Sequence, residues 1–144
     1  VKKVFRSGNV SSPKAPLPPP TKGALASGNY GSYAINAWAQ SGHPLAKSER
    51  HKFFTTLDQG SSDTPIFADS IWAEVMPHPG DDAPKTLDGS DSGMGRMCID
   101  RHPDGINVAF MDGSVRTVKL PKLWQLQWHK QWQTPARPPI MPSR

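Results

Sequence analysis

The chain has 144 residues, a length that suits one domain with room for a small second lobe. Hydrophobic residues make up only 35%, and 16 Pro with 12 Gly leave little room for long helices. These totals argue against a helical bundle and for a β-rich or α+β domain with long ordered loops, of which α+β is the expectation. The net charge of +5 would suit a nucleic-acid partner, but the Lys and Arg are scattered, with no run longer than two. A nucleic-acid footprint should be a patch or stripe, so no such partner is expected.

The chain opens at Val1 in mid-pattern, "VKKVFRS", which reads as a fragment or processed product. Residues 1–26 are dominated by "SSPKAPLPPPTKG". Proline lacks an N–H and fixes φ, so this segment is expected to be extended, either a plain connection or a Pro-rich ligand. A globular head is expected over 27–133. "GNYGSYAINAWA" (28–39) begins it, with Tyr30, Tyr33, Ile35 and Trp38 set among small residues that suit a buried short strand. "TPIFADSIWAEV" (64–75) predicts a further strand with Ile66, Phe67, Ile71, Trp72 and Val75 as core. Residues 76–96 read as a long loop rich in Pro, Gly and Asp.

The most regular region is 97–120. "MCIDR", "INVAFM" and "SVRTVKL" predict three antiparallel strands, joined by a "PDG" turn and by "DG" as a two-residue type I′ turn. That turn sets Phe110 opposite Val115 and Val108 opposite Thr117. Ile106, Val108, Phe110 and Val115 then share the buried face. After Pro121, Trp124, Trp128 and Trp132 recur at i, i+4 and i+8, the spacing of a short helix. They would cover the sheet or form an aromatic interface or sugar platform. Residues 134–144 read as a Pro-rich tail.

Taken in order, "GSYAINAWA", "TPIFADSIWAEVMPHP" and "RHPDGINVAFMDGSVRTVKLPKLWQLQWHKQW" resemble the bacterial prepilin-type processing-associated family named for its H-X9-DG motif. Here that motif is His102, nine residues, then Asp112 and Gly113. The resemblance spans roughly residues 27–133. It implies a type IV pilin-like or type II secretion pseudopilin-like head, extracellular or at the cell surface. Such proteins carry an N-terminal membrane-anchoring helix, and this sequence shows none. The expected partners are therefore copies of itself or other pilin-like subunits, including a chain that carries such a helix. No run of 18 apolar residues exists, so membrane contact by this chain is not expected.

Little else points to chemistry. There is no G-x-S-x-G elbow and no phosphate loop, and no enzyme is expected. His43, His51, His78, His102 and His129 lack zinc-ligand spacing. Cys98, the single cysteine, is expected to pack as a small hydrophobe. "GDDAPKTLDGSDSG" supplies Asp81, Asp82, Asp88 and Asp91, either a solvated acidic turn or a calcium loop, which the resemblance places before the C-terminal strands as in some pseudopilins. Finally, the strand between His102 and Asp112 should hold its two turns about 15–20 Å apart at ~3.4 Å per residue. The motif then measures a strand and its turns and is not a catalytic dyad.

Overall fold

The computed structural model describes residues 33–143, except Ser90 and Asp104. The Pro-rich reading of 1–26 and the start of the expected head lie outside them. The architecture is α+β: a five-stranded mixed sheet with short helical segments. The strands are β1 (Tyr33–Asn36), β2 (Pro65–Asp69), β3 (Glu74–Val75), β4 (Ile106–Phe110) and β5 (Val115–Val118). Their spatial order is β3-β1-β2-β4-β5. Only the β1–β3 pair is parallel.

The centre of this sheet lies further upstream than the sequence suggests. β4 and β5 form the expected hairpin, but the strand on β4's other side is β2, with a register shift between Pro65 and Phe67. The "MCIDR" segment is not a sheet strand. Gly93–Met97 is a 3₁₀ turn, Cys98 ends it, and Ile99 makes a lone bridge to Asp88 in the preceding loop. The Asp100 N–H donates to the Leu87 carbonyl at 3.0 Å. Local loop partners thus take the hydrogen bonds that a strand would have given to β4.

The hairpin register also differs by one residue. Ala109 faces Val115, Val108 faces Arg116 and Asn107 faces Thr117. The Gly113 N–H donates to the Phe110 carbonyl and the Phe110 N–H to the Ser114 carbonyl. The connection is therefore the three-residue loop Met111–Gly113, with Gly113 at φ +86° in the left-handed position that such loops require. A one-residue slip turns every side chain over. Val115 lands outside at 70% exposure. Arg116 takes its place beside Phe110, with its guanidinium carbon 3.6 Å from that ring's centroid.

One face of the sheet is buried through Ala34, Asn36, Ala68, Ile106, Val108, Phe110 and Val118. The same core holds Trp38, Phe53, Met94, Met97, Ile99, Leu120, Leu123, Trp124 and Trp128. The small side chains of the paired Ala34 and Ala68 leave depth for those rings. The other face carries Tyr33, Phe67 and Val115 in the open.

The C-terminal helix is shorter than its tryptophan spacing predicts. A 3₁₀ segment covers Leu120–Gln125, and Leu126 is already extended. The Gln127 N–H goes to Asp63 O and the Lys130 N–H to Lys52 O, at 2.9 and 3.0 Å. These bonds to distant segments of the same chain replace the i−4 bonds that would have continued a helix. Beyond it, Pro135 O accepts from Gln125 Nε2, and Met141 packs against the core. The Pro-rich tail thus touches the folded core at Pro135 and Met141.

Candidate functional site

Asp69 ends β2 with 1% exposure, the most deeply placed acid near the sequence motif. A buried carboxylate must be paired and hydrogen-bonded. Asp69 Oδ2 accepts the Asn107 N–H at 2.8 Å and lies 3.2 Å from His102 Nε2. Arg101 Nη1 meets Oδ1 at 3.3 Å, and its Nη2 donates to Ser70 O. Asn107 Nδ2 lies 3.2 Å from His102 Nε2, and Asn107 Oδ1 accepts from Thr117 Oγ1. This network ties the end of β2 to the His102–Gly105 turn and to the β4–β5 ladder. Sequence reasoning missed Asp69. Its signal was an acid inside the apolar run "PIFADSIW".

The other half of the motif has separate work. Asp112 Oδ1 accepts from Ser114 N at 2.9 Å and Ser114 Oγ at 2.7 Å. These bonds hold its carboxyl below the ordinary value and close the hairpin loop. His102 and Asp112 therefore serve different turns. The pair brackets β4.

The tryptophans serve the chain's own core. Trp124 and Trp128 are buried, and Trp132 is half-buried. Their indole N–H groups donate to Asp81 O, Leu123 O and Trp124 O. Trp38 is buried as well, and Trp72 lies half-buried under Arg96, 4.8 Å from the ring centroid. An aromatic platform built on Trp124 and Trp128 is thus ruled out by burial. Asn36 clamps this cover to the sheet, since its Nδ2 donates to Pro65 O and Trp128 O, both at 2.9 Å.

The acidic loop divides its four aspartates. Asp81, Asp82 and Asp91 line an open pocket of ≈ 300 Å³ with Lys85 and Ser92, while Asp88 is drawn into the bridge with Ile99. Asp81 Oδ2 accepts the His78 and Met94 N–H groups at 3.0 and 2.8 Å, which ties the two ends of the loop together. Among the described residues, no group of three or more His, Cys, Asp or Glu is placed to hold a metal. Cys98 is buried beside this loop. Burial, then the charges of Asp91 and Asp81, push its thiol up to about 12.

Histidines and basic residues that are far apart in sequence come together. The Trp38 ring meets His78, His129 and Phe53 edge-on at 5.3, 4.9 and 5.0 Å between centroids, and His43 stacks on Phe53. His129 is 2% exposed. Desolvation by burial, with Lys52 and His78 adding, lowers its pKa to about 4, so it is neutral and its Nδ1 accepts the Gln131 N–H. Lys52 Nζ lies 5.6 Å from the Trp38 ring centroid.

No protein-family model matches this chain, and neither does any curated protein or solved structure.

Proposed function

We propose that this chain is the globular head of a subunit of an extracellular pilus-like or pseudopilus filament. The observation that carries the reading is the joint role of the blocks that resemble the H-X9-DG family. Within them are β1, β2, the β4–β5 hairpin and the Leu120–Trp132 cover. The motif histidine is tied to β2 through Asp69, and the motif Asp-Gly closes the hairpin. A signature shared as a fold element suits a structural subunit better than a reaction centre.

Two further features support it. The open sheet face with Tyr33, Phe67 and Val115 offers apolar surface for packing against neighbouring subunits. No helix among the described residues is long and apolar enough to cross a membrane, so the anchor would come from a partner chain or from residues outside those described. The alternative, a polysaccharide-binding module that stacks sugars on tryptophan, lacks a platform, because no described tryptophan is fully exposed. Mechanical shearing of the native cells tests the filament reading. The chain should pellet with the sheared surface fraction in an immunoblot. Recovery only in the soluble cell interior would overturn it.

A further inference from the structure

The charge is unevenly distributed along the chain. Residues 1–32 hold five of the 17 Lys and Arg and none of the 12 Asp and Glu, so residues 33–144 balance at 12 basic and 12 acidic. Four of the remainder's twelve basic residues, Lys47, Arg50, Lys52 and Lys130, lie on adjoining segments. The 3₁₀ turns Pro44–Lys47 and Arg50–Lys52 pack together, and the Lys130 N–H donates to the Lys52 carbonyl at 3.0 Å. Lys47, Arg50 and Lys130 are exposed around the half-buried Lys52, with His51 and His78 exposed beside them. Glu49, the acid of this segment, is tied to Lys52 at 3.2 Å. Among the described residues no ion pair joins Lys47, Arg50 or Lys130 to an acid.

We propose that this face binds an acidic polysaccharide, whose repeated carboxylates or sulfates meet Lys47, Arg50 and Lys130. Charges spread over two adjacent segments suit a polyanion that spans them better than a small anion. The aromatic rings beneath, Trp38 and Phe53, are buried. They cannot stack on the bases of a single-stranded nucleic acid, which proteins that bind single strands use as a platform. The proposal holds for a filament head and for a free domain alike, and it reads acid groups where the tryptophan platform would have read sugar faces.

The test uses the full chain and fluorescein-labelled polygalacturonate, with neutral dextran and a single-stranded DNA oligonucleotide as comparisons. Arg50→Glu with Lys130→Glu is set against Lys119→Glu with Lys122→Glu, an equal charge change at two exposed lysines elsewhere. The five cations of residues 1–32 are common to both. The patch variant should lose affinity by at least about tenfold while the control loses less than about twofold, and raising salt from ~0.05 to ~0.5 M should abolish wild-type binding. Equal losses in the two variants, absence of wild-type binding, or tighter binding of the DNA than of polygalacturonate would each overturn it.

Discussion

At the scale of single residues, Asp69 is the position on which the motif depends. It takes a histidine, an arginine and a backbone N–H at once while almost fully buried. Removing one partner of a buried pair typically costs ~3–5 kcal/mol, so Asp69→Ala should fall in that range in urea denaturation. A change below about 1 kcal/mol would place the network outside the stabilising core. Two glycines make a sharper comparison. Gly113→Ala at φ +86° meets no neighbour and should cost only the left-handed penalty of ~1–2 kcal/mol. Gly105 sits at φ +141°, and a Cβ there would collide with the Val118 carbonyl oxygen. Gly105→Ala should therefore be the more damaging of the two by Tm, and the reverse order would contradict the turn geometry. Cys98, buried and held up near 12, should resist a disulfide-exchange reagent at pH 8 until the chain is unfolded.

At the scale of elements, the C-terminal cover should be acid-sensitive through His129. Its folded value of about 4 lies below the ordinary 6.5. Between those values the unfolded chain binds a proton that the folded chain refuses, so stability falls as pH drops through that window and levels off below about 4. His129→Phe keeps an aromatic ring and removes the titration. Its Tm should drop less than the wild type's between pH 7 and 5, and parallel curves would contradict the assignment. The elements also show what could be read beforehand. The alternation in "INVAF" located β4 and its buried face because period two survives any choice of partner. The "DG" signal located the turn but not its length, since two- and three-residue loops both accept Gly, and that one residue moved Val115 outside. "MCIDR" was too short and apolar for periodicity to tell strand from turn. The tryptophan spacing suited a helix, yet bonds from Gln127 and Lys130 to Asp63 and Lys52 broke it. No sequence pattern announces such distant partners. The gathering of His43, His78 and His129 around Trp38 and Phe53 was hidden for the same reason.

At the scale of the whole molecule, the described residues form an internally satisfied fold. No buried side-chain nitrogen or oxygen among the described residues lacks a hydrogen-bond partner. His102 and Asp112 fasten the turns at either end of β4, and the open sheet face and the basic face remain for contacts with other molecules. The filament reading makes a definite claim about where the chain ends up. Immunogold electron microscopy of the native cells, with antibody raised against the chain, tests it most directly. Gold should decorate regular filaments at the cell surface. Label confined to the cell interior, or a diffuse surface label with no filament beneath it, would contradict the account.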